Sequence, residues 1–269
     1  MKLKMKMALT AGVLALAVAG QASATIVDSN AALGSDLILS VWNATTGVSY
    51  TRDLGVSSSA FIDQTTLNNP ASPLPAFAPV AADSILAGIL AGGTTGFQWN
   101  VTAANMSTST MLSTVTAGTK LAQMSMQTDM GIVAGLNNAQ LFYGAANYAS
   151  GANSSFTVTG TTNNAYAGGY NLGSAWSNQS VFNTTGAVGS NLDFWFLTTN
   201  GSGALAQTAT VAQFMNGATP MQFTLASNGN LTVAAVPEPG EWLLMLSGLC
   251  LLGFIATRRK GQGNSMTFA

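Results

Sequence analysis

The sequence predicts a mainly β fold, an antiparallel β-sandwich or jelly-roll-like domain with one or two short helices packed on it. Short runs of apolar and β-branched residues recur along the body of the chain, and clusters of Gly, Asn and Pro separate them. The sequence does not show the regular alternation of strands and long helices that is typical of an α/β fold. The chain has 269 residues, 48% of them hydrophobic, which is enough to bury a core. We therefore expect one exported domain over residues 25–235.

Most of the predicted strands pair with a neighbour in the sequence. The strand candidates are 36–43, 47–54, 97–103, 110–116, 155–160, 192–199 and the two arms of 221–235. The first two flank a short Ala-Thr-Thr turn, so they predict a hairpin, and 97–103 with 110–116 predicts another. In the last segment, Asn228-Gly229 is typical of a two-residue type I′ turn.

Helices are less strongly indicated. Asp83 is placed to cap a helix over residues 84–90. Residues 130–149 show apolar positions three and four apart, but they include Gly and Asn, which disfavour a helix interior. The proline-rich stretch 68–79 predicts a connector.

The charge distribution excludes nucleic acid as a partner. Only 6% of the residues are charged, and Ser, Thr, Asn, Gln and Gly stand where charges are usual. Between residues 25 and 236 the cations are Arg52 and Lys120, against seven Asp residues. Tight binding to a phosphate backbone needs several Lys or Arg contacts.

The residue inventory also argues against most enzymes. The chain has no His, and Cys250 is its one cysteine, so internal disulfides, His or Cys zinc sites and Ser-His-Asp or Cys-His catalysis are excluded. A carboxylate pair can carry out glycoside hydrolysis and a carboxylate cluster can hold Ca²⁺, but the sequence has neither signature, since it lacks a D-x-[DN]-x-[DN]-G loop and has no Glu before Glu238. Asp36 and Asp53 could still approach each other across the first hairpin. For the Asp residues, roles in turns and at strand edges are the favoured interpretation. We predict no enzymatic activity, no metal and no cofactor.

The N-terminus has the three parts of a secretory signal peptide. Lys2, Lys4 and Lys6 precede an apolar stretch over 8–20, and Ala22-Ser-Ala24 forms a small-residue cleavage site. The stretch is too short to span a bilayer stably. We predict a signal peptide over residues 1–24, used by the Sec machinery and cut by signal peptidase.

The C-terminus predicts a membrane helix with a basic stop signal. Residues 242–257 contain no charge and would extend about 24 Å as a helix. Arg258, Arg259 and Lys260 follow, which by the positive-inside rule places them in the cytoplasm. A short cytoplasmic tail, 261–269, would complete the chain. The alternative, a buried helix of the globular domain, would not usually end in three adjacent cations.

The same segment resembles a known sorting signal. Pro237-Glu238-Pro239, the apolar helix and the basic cluster, in this order over residues 236–260, are similar to the PEP-CTERM signal of Gram-negative bacteria. The resemblance implies that Pro237, Glu238 and Pro239 are recognised by an exosortase, a membrane cysteine protease or transpeptidase usually encoded alongside exopolysaccharide production. It also implies a transient inner-membrane anchor, with the body on the periplasmic side before transfer to the cell surface or extracellular matrix.

Two functions remain open for the body. The first is a structural or adhesive role at the cell surface or in a biofilm exopolysaccharide matrix. The alternative is a carbohydrate-binding module, in which Tyr166, Tyr170 and Trp176, set among glycines in residues 165–176, stack on sugar rings. Core packing is the competing interpretation of these aromatic residues.

Overall fold

The computed structural model of the chain describes residues 34–63, 70–71, 77–151, 153–169, 183–201, 207–216 and 219–235. The predicted signal peptide, sorting signal, membrane helix 242–257 and tail 261–269 lie outside these residues. Within the described ranges, no helix combines the length and apolar character needed to cross a membrane.

One antiparallel sheet dominates the described structure. Its strands are β1 (Asp36–Asn43), β2 (Val48–Ser57), β3 (Phe97–Asn105), β4 (Thr110–Thr116), β5 (Ser155–Thr159), β6 (Gly186–Ala187), β7 (Asn191–Thr198), β8 (Thr210–Gln213), β9 (Met215–Asn216), β10 (Thr219–Leu225) and β11 (Leu231–Ala235). The main path runs β11-β10-β7-β4-β3-β1-β2-β5, and the short strands β6, β8 and β9 pair beside it. The predicted antiparallel β architecture is confirmed, and it is consistent with a β-sandwich.

The predicted hairpins form, but one turn differs from its prediction. β10 and β11 pair up to Leu225 and Leu231. The Gly229 N–H donates to the Ala226 carbonyl at 2.8 Å, and Gly229 has φ +83°. Asn228 is not among the described residues with positive φ, although a type I′ turn requires one there. The prediction of that turn is wrong, because a longer loop with one left-handed glycine connects the strands.

In the described part of the chain, three α-helices accompany the sheet: α1 (Ser84–Leu90), α2 (Leu121–Met124) and α3 (Asp129–Ser150). A 3₁₀ turn also spans Ser58–Phe61. The predicted cap of α1 is confirmed, because the Asp83 carboxylate accepts the Leu86 N–H at 2.8 Å. The candidate helix over residues 130–149 is confirmed as α3, which has 22 residues.

Tertiary packing explains why α3 forms despite its Gly and Asn residues. Thr128 caps it through its hydroxyl, which accepts the Gly131 N–H at 3.2 Å. Ile132, Leu136 and Phe142 are buried on the side that meets the sheet. Burial of this apolar face outweighs the low helix propensity of the other residues.

Hydrophobic side chains cover both faces of the sheet. Under α3 lies an outer core that includes Trp42, Phe142 and Trp195. On the opposite face lies an inner core with a group of contacting phenylalanine rings, in which Phe194 stacks on Phe214 at 4.9 Å between centroids. Because both faces are covered, all eight residues of β1 are buried, and its sequence, DLILSVWN, does not alternate strictly.

The sheet curls around the inner core, which includes both Tyr50 of β2 and Leu231 of β11, and residues 80–83 connect these two strands. Val80 exchanges two backbone hydrogen bonds with Leu231 of β11, at 2.8 and 2.9 Å. Three residues later, Asp83 accepts a 2.7 Å hydrogen bond from the Tyr50 hydroxyl of β2. β11 and β2 are the first and seventh strands of the path, about 29 Å apart in a flat sheet at ~4.8 Å per strand. Three residues span only about 10 Å, and together with the shared inner core this short connection indicates that the sheet bends to bring these strands together.

Candidate functional site

The structure places Tyr166 in the outer core. Its side chain is only 2% exposed, and its ring and that of Trp42 both lie against Gly168. Tyr166 therefore presents no ring surface on which a sugar could stack. Tyr170 and Trp176 lie outside the described residues. Tyr148, which the sequence analysis did not single out, is 94% exposed on α3.

Four of the described aspartates are buried, and three of them bind backbone or amide N–H groups. Asp53 accepts the Gly55 N–H at 2.7 Å. Asp129 accepts the N–H of Asn200 through both oxygens at 3.2 Å. Asp193 accepts the Gly118 N–H at 2.9 Å and the Gln222 amide at 2.7 Å. The contact of Asp53 with its own backbone agrees with the predicted turn role. Asp129 and Asp193 instead join segments that are distant in sequence, and none of the three is an exposed charge at a sheet edge.

Asp36 and Asp53, the pair considered for hydrolysis, lie on neighbouring strands of the first hairpin and are 9% and 1% exposed. Burial raises the pKa of both carboxyls, and the nearby Asp36 contributes to raising that of Asp53, to about 6. The pair lies in the protein interior, whereas a glycosidase needs its two carboxyls in an open cleft.

An uncharged cleft of about 300 Å³ lies at one end of the sheet, and we call it the polar cleft. It is lined by Ser107, Thr108, Ser109, Thr198, Thr199, Asn200, Gly201 and Thr210. These residues belong to the β3–β4 turn, the end of β7 with the loop that follows it, and the start of β8. They meet because β4 pairs with β7 and β7 pairs with β8.

Hydrogen bonds between side chains hold the walls of the polar cleft. The Thr110 hydroxyl lies 3.1 Å from that of Thr108 and 3.2 Å from that of Thr198, which links the turn to β7. On the other wall, the Asn200 side chain donates to the Thr208 carbonyl and accepts from the Thr210 hydroxyl at 2.7 Å. The cleft is therefore preformed from hydroxyl and amide groups.

Ser109 gives the polar cleft a strained backbone position. Its φ is +52°, and it is the one non-glycine residue with positive φ in the described part of the chain. Turns elsewhere place Gly47 and Gly229 in this conformation. A side chain in the left-handed region costs about 1 kcal/mol, and such strain is often found at binding sites.

The lining limits what the polar cleft can do. Hydroxyl and amide groups can donate and accept hydrogen bonds with a neutral polar ligand. The described residues of the lining include no carboxylate, imidazole or thiol. Within the described residues, no three His, Cys, Asp or Glu side chains cluster as metal ligands would.

Comparisons with known proteins identify no relative. No family model, curated protein or solved structure matches the chain.

The raised pKa of Asp53 predicts that the protein loses stability as the pH rises. A carboxyl with a folded pKa of about 6 stabilises the folded state fully below its ordinary pKa of 3.8, and this contribution is lost as the pH rises through 6. Asp53→Asn removes this titration. The free energy of unfolding of the variant, relative to wild type, should rise by about 2–3 kcal/mol between pH 4 and pH 7.5. Urea unfolding of both proteins over this range measures the difference, and a difference that does not change with pH would contradict the assignment.

Proposed function

We propose that this protein is a non-enzymatic exported protein of the cell surface or exopolysaccharide matrix, with a structural or adhesive role. The observation that carries the proposal is the nearly uncharged surface of the described body. Of its eight charged side chains, Asp36, Asp53, Asp129 and Asp193 are buried, and Arg52, Asp63 and Asp83 are partly buried. Lys120 alone among them is classed as exposed.

Such a surface suits a polysaccharide gel. Exposed Ser, Thr and Asn side chains hydrate the protein through hydrogen bonds, whereas dense charge of one sign would cause salt-dependent adsorption. The buried aspartates explain how the chain can carry carboxylates and still present few charges to its surroundings.

The position of the last strand supports sorting by an exosortase. β11 ends at Ala235, two residues before Pro237, and it is the terminal strand of the main path. A segment that leaves from this strand need not disrupt the interior of the sheet when it is cut. Proline residues favour an extended backbone, which a protease requires. In this proposal, residues 242–257 anchor the chain in the inner membrane until Pro237, Glu238 and Pro239 are recognised.

Mass spectrometry of the C-terminus tests the sorting route. In cells that contain the exosortase, the extracellular protein should end near residue 237, and it should lack the apolar helix and the basic cluster. In matched cells without the exosortase, the chain should keep its tail in the inner membrane. A full-length tail on extracellular protein from wild-type cells would contradict the proposal.

A carbohydrate-binding module is the second candidate, and the polar cleft favours it. The cleft presents only uncharged hydrogen-bonding groups and contains the strained Ser109. Its volume, about 300 Å³, is at the lower end for small-molecule sites. The ligand that fits this chemistry is a neutral sugar unit at the end of a glycan chain.

Pull-down on purified exopolysaccharide separates the two candidates. If the protein is a module of this kind, the combined Ser107→Ala and Thr199→Val substitutions should weaken saturable binding about tenfold or more, because each lost hydrogen bond costs about 1 kcal/mol. Thr161→Val with Thr162→Val, exposed outside the cleft, is the matched control and should bind normally. If binding is instead lost on Tyr170→Ala or Trp176→Ala, the sugar binds to the aromatic residues of segment 165–176. If the protein shows no saturable binding, the module is ruled out and the structural or adhesive role is favoured.

A further inference from the structure

A layer of polar side chains lies inside the outer core, between the sheet and α3. Thr51 of β2, Ser40 of β1 and Asn100 of β3 stand opposite one another in one row across three strands. In the next row on the same face, Asp53 and Thr102 lie on either side of Ile38. Tyr143 of α3 belongs to the same core. We call these six polar residues, Ser40, Thr51, Asp53, Asn100, Thr102 and Tyr143, the polar layer.

The polar layer is closed to solvent and largely without protein partners. None of its residues is more than 1% exposed. No protein group satisfies seven of its atoms: the Ser40, Thr51, Thr102 and Tyr143 hydroxyls, Oδ2 of Asp53, and both amide atoms of Asn100. Ser35 and Thr102 lie beside the Tyr143 hydroxyl, but neither contact has the geometry of a hydrogen bond. Strands are ~4.8 Å apart, so the five sheet residues occupy a patch about 10 Å across.

These atoms need partners for energetic reasons. Each polar group buried without a hydrogen bond pays its full desolvation cost. Seven such costs together would be comparable with the entire net stability of a domain. Valine, which has the shape of threonine, would avoid the cost at Thr51 and Thr102. The retention of polar atoms here therefore points to a bound species that pairs with them.

The chemistry of the polar layer identifies that species as water. Hydroxyls can donate or accept, the Asn100 amide does both, and the Asp53 carboxylate accepts. A metal cation would pair only with acceptors and would leave the Asn100 NH₂ unpaired. Water donates and accepts at once, and buried waters typically make about three hydrogen bonds each. We propose that the polar layer binds a small cluster of ordered water molecules that bridges β1, β2 and β3 to Tyr143 of α3.

Titratable groups near the cluster agree with this assignment. Burial raises the pKa of Tyr143 to about 12, and Asp53 contributes to the same shift. Asp36 is the other carboxyl that acts on Asp53. The cluster would therefore face a neutral phenol and a carboxyl that holds its proton more tightly than usual, and bridging water can hydrogen-bond to both. The inference is independent of any glycan-binding role.

Two isosteric variants test the proposal through the sign of their effect on thermal stability. If water bridges the hydroxyls, Thr51→Val and Thr102→Val each remove a partner from the cluster, so the unfolding midpoint should fall by several degrees. If the layer is dry, valine removes an unsatisfied hydroxyl, and the midpoint should rise. Thr114→Val is the matched control, because its hydroxyl accepts the Val101 N–H at 3.0 Å and lies 3.2 Å from the Thr184 carbonyl. That variant should lower the midpoint in either case. A rise for either Thr51→Val or Thr102→Val would overturn the proposal.

A second measurement applies even if a variant fails to fold. In NMR spectra of the wild-type full chain, the side-chain amide protons of Asn100 should show nuclear Overhauser contacts to long-lived water. Where the variants fold, these contacts should weaken in Thr51→Val. Absence of the contacts in the wild-type protein would overturn the proposal by itself.

Discussion

The crossing of residues 80–83 from β11 to β2 is the constraint on which the rest of the structure depends. By joining strands that a flat sheet would keep far apart, it bends the sheet around the phenylalanine-rich inner core. The outer face of the bent sheet also carries buried hydrophobic side chains, and α3 covers it. Two covered faces explain why β1 is buried along its whole length and why polar side chains are enclosed under α3.

The same arrangement decides which surface the protein presents. Four aspartates are enclosed, and three of them accept N–H groups from the loops, turns or neighbouring strand beside them. The outside is left to hydroxyl and amide groups, a composition that favours hydration over charge-driven adhesion. The polar cleft is the place where these groups converge around the strained backbone of Ser109. In the proposed sorting route, cleavage after β11 would leave both features in place.

Local features of the fold could be predicted from the sequence, whereas features that join distant residues could not. The first hairpins and the Asp83 cap follow from short-range alternation and capping chemistry. The connection that closes the sheet pairs Val80 with Leu231, about 150 positions away. No local sequence pattern encodes that pairing. The polar cleft likewise combines three separate segments, although the Ser-Thr-Ser turn between two predicted strands was a visible signal for one of them. Tyr166 sits among glycines as an exposed loop residue would, but Gly168 leaves room for its ring and that of Trp42 in the outer core.

The closed arrangement of the sheet can be tested most directly by comparing alanine substitutions at two glycines that have nearly the same φ. Gly229 has φ +83°, and a Cβ there would lie 2.9 Å from that of Ala82 and 3.0 Å from Leu86, whereas Gly118 has φ +80° and nothing within 4 Å. Both substitutions bear the left-handed backbone cost of about 1 kcal/mol. If the β10–β11 turn packs against residues 82–86, Gly229→Ala should lower the free energy of unfolding by about 1–3 kcal/mol more than Gly118→Ala. Equal losses at the two positions would mean that the turn does not pack there, and the closed sheet would be contradicted.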